Sequence, residues 1–385
     1  MPETLPARDA RIDALRGLAI LLVLVLHFSI SYGLHKSPLA NWLPPMLLDA
    51  VLWNGNYGVT LFFTLSGFLI AGPLLAKPGP LAQLALGDFY LRRFARILPP
   101  LLLALALIIA LGYSGHPSFA NVDGGHDLPA SFSWWAAFSV LSFWHNVLMQ
   151  QLGYFNYALN VYWSLSVEEV FYLCLPLACL LLRRRRWLLL ACAALIAIGP
   201  WYRAQHLDSE LYFMYGYWAC FDAIALGVAA AILAPHIRLS GTARVLLQWL
   251  AAALLLFSFL IGIGGHEVFG FSQVALACAA LLVLKPVAAQ PGICLASWPG
   301  RALRWLGRHS YELYLFHCIV LGLLREALPR STVAPEAKLG LLLAFLLASC
   351  LLAALVARHI GTPANRYLRR RLARRSSLEP AFIRI

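Results

Sequence analysis

Two stretches of this chain, Gly17 to Tyr32 and Leu339 to Ala357, stay almost wholly apolar for nearly the ~20 residues that a helix needs to cross a bilayer. A segment in lipid must satisfy its backbone polar groups from within, so a helix is the structure it takes. Similar windows recur near 12–33, 55–75, 97–113, 163–182, 187–202, 212–234, 245–264, 270–290, 310–328 and 339–357. The expectation is an all-α, polytopic integral membrane protein of about ten transmembrane helices. Composition agrees: 61% of the 385 residues are hydrophobic and 12% charged, where a soluble domain carries about a quarter charged. A soluble globule has too little polar surface to cover so much apolar material.

Charge sets the orientation. With the amino terminus inside, the inner segments hold Arg8, Arg11 and Arg16; Lys77, Arg92, Arg93 and Arg96; Arg183 to Arg186; Arg238 and Arg244; Lys285, Arg301, Arg304 and Arg308; and eight arginines from Arg358 to Arg384. The outer segments keep Lys36, Arg203, Arg325, Arg330 and Lys338. Only these five of the 30 cations fall outside, as the positive-inside rule requires, so both termini are read as cytoplasmic. The net charge of +13 then reflects topology, and no nucleic-acid partner is expected.

Residues 1–360 read as one membrane domain and 361–385 as a basic cytoplasmic tail. The tail's Arg366, Arg369, Arg370, Arg371, Arg374 and Arg375 suit anionic lipid, and no soluble domain is expected after the last span. Three arginines precede the first apolar run as in a secretory signal, but the run is too long for one and more spans follow. The eight cysteines form no CxxC pair and no ligand spacing, so they read as small buried hydrophobes; no metal is expected. Between the third and fourth spans, Ser114 to Tyr162 is more polar, and Ser133 to Leu148 within it reads as one aromatic helix at the interface. The glycines of Ile261 to Gly265 read as a helix end.

Ionisable groups inside a membrane are costly, which makes each a candidate for function: His27, Glu168, Glu169, Asp222 and His317. Arg16 and His27 are eleven residues apart, which puts them on one helical face and roughly 16 Å apart along the axis. A cation at the inner mouth with a base deeper on the same stripe suits a long anionic donor. The other reading makes Arg16 a topological marker and His27 a helix-packing group. Arg92, Arg93 and Arg96 lie within one helical turn, where guanidinium groups could grip phosphates, although inner loops are basic in any case. In Tyr162-Trp163-Ser164-Leu-Ser166-Val-Glu168-Glu169, Ser164 and Glu168 share a face. A carboxylate there could orient His27 and raise its basicity, or could simply pin two helices. Asp222 enters the sixth span from outside, and His317 lies seven residues into the ninth; either could be a packing hydrogen-bonder.

These segments, in this order, resemble acyltransferase family 3, membrane proteins that acylate exported carbohydrates. The resemblance is carried by Arg16 with ten residues before His27, Gly58-Val-Thr-Leu-Phe-Phe-Thr-Leu-Ser66-Gly67, Arg93-x-x-Arg96, Asn146 in its aromatic context, Trp163-Ser-Leu-Ser-Val-Glu168-Glu169, and Ser310-Tyr311 leading to His317. It runs from about residue 11 to 357. It implies acyl-CoA, most often acetyl-CoA, as donor and a hydroxyl of an extracytoplasmic or lipid-linked glycan as acceptor, at a bacterial inner membrane. Many relatives carry a soluble esterase-like domain after the spans, and this chain looks like the stand-alone type. Thr60 stands where many relatives have an acid, and Cys220 where an arginine precedes Phe221-Asp222.

The expected scheme has Arg16, Arg93 and Arg96 on the donor phosphates and His27, oriented by Glu168 or Glu169, as the base. Trp163, Ser164, Asp222, Asn146, Tyr311 and His317 would support substrate. The rival class is a transporter of a glycan precursor or acyl donor, with the buried acids as proton sites; no pair of broken helices in repeated halves supports it.

Overall fold

The apolar windows of the sequence fall on helices. The structure, a computed structural model, describes residues 9–75, 86–284 and 297–368; the basic tail from Arg369 onward lies outside them. In chain order α1 is Ala10–Tyr32, α2 Pro45–Trp53 and α3 Asn56–Leu75. Then come α4 (Leu86–Tyr113), strands β1 (Asn121–Asp123) and β2 (His126–Leu128), α5 (Phe132–Leu141), α6 (His145–Leu152) and α7 (Trp163–Leu182). Next are α8 (Arg185–Ala204), α9 (Tyr217–Leu233), α10 (Gly241–Ile261), α11 (Gly270–Val283) and α12 (Trp298–Arg308). The last two are α13 (Ser310–Ala327) and α14 (Lys338–Val356).

Among the described residues, seven helices are long and apolar enough to cross a membrane, or eight if α2 and α3, bent by 56° at their junction, count as one span. Two further expected windows fall on helices outside that set. Helix α11 has 14 residues, and α13 carries Glu312, Arg325 and Glu326. The outward residues fit lipid: Leu246, Trp249, Leu250 and Phe257 on α10 are all more than half exposed.

The chain forms two compact units. One comprises residues 1–76, 189–311 and 335–339; the other comprises 77–188, 312–334 and 340–385. In the first unit Asp9 caps α1, its side chain accepting from the Arg11 amide at 3.0 Å. Gly33 closes that helix at φ 62°, and the buried Lys338 ammonium donates to its carbonyl at 3.0 Å. Helix α1 packs on α12, α3 and α2, while α9 packs on α3 and α11. The α1–α12 contact is made backbone to backbone. A methyl group at Gly17 would overlap the Leu303 carbonyl, and one at Gly307 would overlap that of Asp13. Small residues let membrane helices approach this closely. As the glycines after Ile261 predict, α10 ends there, with Gly262 at φ 87°.

In the second unit α4 runs unbroken through Pro99 and Pro100, so its helix begins about three turns before the expected span. The polar segment that follows holds a hairpin the sequence reading did not name. Gly124 and Gly125, at φ 53° and 89°, turn β1 into β2, pairing Asp123 with His126. The single aromatic helix expected over 133–148 is two helices. Phe143 is left-handed at φ 66°, and the His145 amide donates to Ser166 Oγ at 3.0 Å instead of continuing α5. Helix α6 therefore packs on α7 in its own direction.

Candidate active site

Each intramembrane polar group has to be satisfied by something, and its partners define what it can do. In the first unit, Arg16 and His27 both lie on α1. The Arg16 guanidinium donates from Nε and Nη2 to Ser310 Oγ at 3.1 and 2.9 Å, beside the half-buried Tyr311. The close α1–α12 packing, one turn below Ser310, makes that reach short. The His27 ring places Nδ1 2.8 Å from the Val23 carbonyl, one turn back on its own helix. A carbonyl only accepts, so Nδ1 carries the proton and Nε2 keeps its lone pair. A backbone oxygen thus fixes Nδ1.

Asp222 is fully buried on α9. Its Oδ2 takes hydrogen bonds from Arg203 Nη2 at 2.7 Å and from the Ser272 hydroxyl at 2.6 Å. Its Oδ1 takes one from the Ala223 amide at 2.8 Å. Arg203, at the end of α8 and also fully buried, further donates to the carbonyls of Val268 and Ala219. The guanidinium paired with Asp222 is therefore supplied by another helix, α8. Sequence reading counted Arg203 only as an outer charge; its signal was membership of that small minority.

The second unit holds Arg93, Arg96, Asn146, Trp163, Ser164, Glu168, Glu169 and His317. The arginine trio divides. Arg93 turns towards α7, its guanidinium carbon 3.3 Å from the centre of the Tyr172 ring and its Nε 4.0 Å from Glu169 Oε1. Arg92 and Arg96 are exposed. Glu169 is buried, whereas Glu168 is half-buried and accepts from the Tyr172 hydroxyl at 2.9 Å. Tyr172 thus joins Glu168 to Arg93, a link that an aromatic residue in an apolar span does not advertise.

Ser164 is 2.7 Å from the Tyr314 hydroxyl. Tyr314 gives its single proton to the Val161 carbonyl, so Ser164 is the donor in this pair. Tyr162 also donates, to the Leu315 carbonyl at 2.7 Å. The start of α7, with buried Trp163, is fastened to α13 by these bonds. Ser164 therefore spends its proton on Tyr314. His317 is fully buried, with Nδ1 2.8 Å from the Tyr314 carbonyl and Nε2 3.4 Å from Cys318 Sγ. Its proton lies on Nδ1 for the same reason as in His27.

Asn146, fully buried, opens α6 beside His145, which sequence reading passed over. Burial, partly offset by the Leu159 carbonyl, pushes the His145 imidazole down to about 4. The ring places Nε2 3.0 Å from that carbonyl and Nδ1 2.7 Å from the Ser139 hydroxyl, which itself donates to the Ala136 carbonyl at 2.7 Å. No local pattern marks it, because its partners lie on α5 and in the loop before α7.

Residues 9–358 match the model of a family described as an acyltransferase domain. A peptidoglycan O-acetyltransferase OatA of Listeria monocytogenes serovar 1/2a is 26% identical over 336 residues, covering 81% of this chain and 49% of the relative. An O-acetyltransferase OatA of Staphylococcus aureus strain NCTC 8325 / PS 47 is 26% identical over 337 residues, covering 82% and 50%. The chain spans about half the length of the curated relatives it matches. No solved structure matches it.

Proposed function

The chain belongs to the family of acyltransferase domains, and from that premise we propose that it acylates a hydroxyl of a cell-surface carbohydrate. The group moved is acetyl, as the names of the relatives suggest. The donor is acyl-CoA, and the membrane is the inner membrane of a bacterium. Both termini lie in the cytoplasm, a placement supported by the distribution of the cations.

One observation carries the chemistry: His27 sits within an apolar helix with Nδ1 tied to Val23, so Nε2 is a lone-pair base held in one tautomer. In this reading Nε2 takes the proton of the acceptor hydroxyl as its oxygen attacks the thioester carbonyl. The C–O ester bond forms, the C–S bond breaks, and the imidazolium returns the proton to the leaving thiolate. The transfer is direct. Ser164, the hydroxyl nearest the family's acidic motif, is spent on Tyr314. Glu168 and Glu169 are further groups on which transfer depends, supported by the cost of holding two acids in a span and by their tie to Tyr172 and Arg93. Arg96, exposed on α4, serves the donor phosphates. Arg16 and Arg93, engaged with Ser310 and Tyr172, act there by exchanging those contacts.

Purified protein given acetyl-CoA and a bacterial wall glycan should release free CoA and increase the glycan's mass by one acetyl group. A transporter would move its cargo and release no CoA, and that result would overturn the proposal.

A further inference from the structure

The second unit contains a cleft of about 360 Å³, lined in part by Ser118, Tyr154, Asn156, Tyr157, Asn160 and Arg325. Small-ligand sites range over about 300–1,000 Å³. None of these residues takes part in the chemistry above. The cleft belongs to the end of the unit where α4 finishes, roughly 40 Å along that helix from Leu86. On the proposed topology that end is the outer face.

The walls are fixed in place. Asn156 donates to Asn121 Oδ1 at 2.8 Å and to the Phe119 carbonyl at 3.2 Å, and accepts from the amides of Ala158 and Leu159 at 3.0 and 2.9 Å. Glu326 accepts from the Ser118 amide at 2.8 Å and lies 2.6 Å from His116 Nδ1. The Arg325 guanidinium lies 4.5 Å from the centre of the Tyr157 ring, and Tyr154 is 50% exposed. The lining thus combines phenol faces, the Asn160 carboxamide and a planar cation stacked on one of the rings.

That combination fits a pyranose. Its C–H faces lie on aromatic rings, while its hydroxyl and carbonyl oxygens take hydrogen bonds from amide and guanidinium donors. A lipid head group would need a cation but has no use for two phenol faces and a carboxamide. We propose that this cleft binds a sugar unit of the acceptor glycan, stacked on Tyr154 and Tyr157 and held by Asn160 and Arg325, so that it positions the chain of sugars for transfer. The proposal rests on the function inferred above.

The test uses the full chain in detergent, as wild type and as Tyr157→Ala, Arg325→Leu and Arg325→Lys. The probes are tetra-N-acetylchitotetraose and an oligogalacturonide of the same length, with binding followed by saturation-transfer NMR and calorimetry. The wild type should bind at least one probe, and Tyr157→Ala and Arg325→Leu should each weaken it about tenfold, with Arg325→Lys in between. In the transfer assay the same variants should raise KM for the glycan and leave kcat and the donor KM unchanged. The proposal is overturned if neither saccharide binds, if the variants bind as the wild type does, or if Arg325→Leu instead abolishes binding to phosphatidylglycerol vesicles. Saccharide binding that depends on Tyr157 and Arg325, in a wild type that transfers no acyl group, would uphold the cleft and refute the proposed function. Transfer with a glycan KM indifferent to both residues would do the reverse.

Discussion

Replacing Arg203 with Met removes a guanidinium that no solvent reaches. Arg203 and Asp222 are both fully buried, joined at 2.7 Å, and Arg203 also satisfies Ser272 and the carbonyls of Val268 and Ala219. Truncating one partner of such a pair strands the other charge, which costs about 3–5 kcal/mol. For a chain of 385 residues that should lower the unfolding midpoint in detergent by about 4–6 °C. The double change Arg203→Met with Asp222→Leu removes both charges and leaves mostly packing, so it should be more stable than either single variant by at least about 1 kcal/mol. Midpoints from scanning fluorimetry on the four proteins make the comparison. Transfer per folded molecule, measured well below those midpoints, should change little in the double variant. The reasoning is wrong if Arg203→Met melts like the wild type, or if the double variant folds fully but transfers nothing. The latter would place Asp222 in the chemistry itself.

Three further outcomes follow from the same geometry. Because the His145 imidazole is held at about 4 against its ordinary 6.5, the unfolded chain alone takes up its proton between those values. Stability is then complete above pH 6.5 and falls by about 3 kcal/mol as pH drops to 4; midpoints against pH should lose part of their acid slope in His145→Asn. A methyl group at Gly17 meets the Leu303 carbonyl, so Gly17→Ala should destabilise by about 1–3 kcal/mol and loosen the hold of Ser310 on Arg16, read by hydrogen exchange of α1 and α12. Arg96→Ala should raise the donor KM with little change in midpoint, whereas Arg93→Ala should lower the midpoint, since Glu169 loses its cation. Equal effects of the two on donor KM and none on stability would restore the undivided arginine clamp.

The helices were legible because a membrane span announces itself by length and apolarity alone, so the expected bounds of α1 and α14 fall within two residues of those observed. The number of spans is hardest to read where length and charge trade off: α11 is a 14-residue helix, and the charges of α13 sit near its ends. The site was legible only as a set of expensive residues. Periodicity put Arg16 and His27 on one face, but it could not show that Val23 orients the imidazole, a bond that any residue could make with its backbone. It equally could not separate Arg93 from Arg96, because the turn of the helix is fixed by Tyr172 and Glu169 on a distant segment. Arg203 and His145 were missed for the same reason: their partners are remote in sequence. The hairpin at Gly124-Gly125 was there to be read, since a Gly-Gly pair between short strands is a turn signal.

The account stands on Nε2 of His27 as the base of the transfer. The decisive measurement is kcat for acyl transfer by purified His27→Ala and His27→Gln, with the unfolding midpoint of each determined alongside. Loss of a positioned general base should lower kcat by about 10²–10⁴-fold, with midpoints near that of the wild type and saccharide binding retained. Near-normal turnover in either folded variant would contradict it.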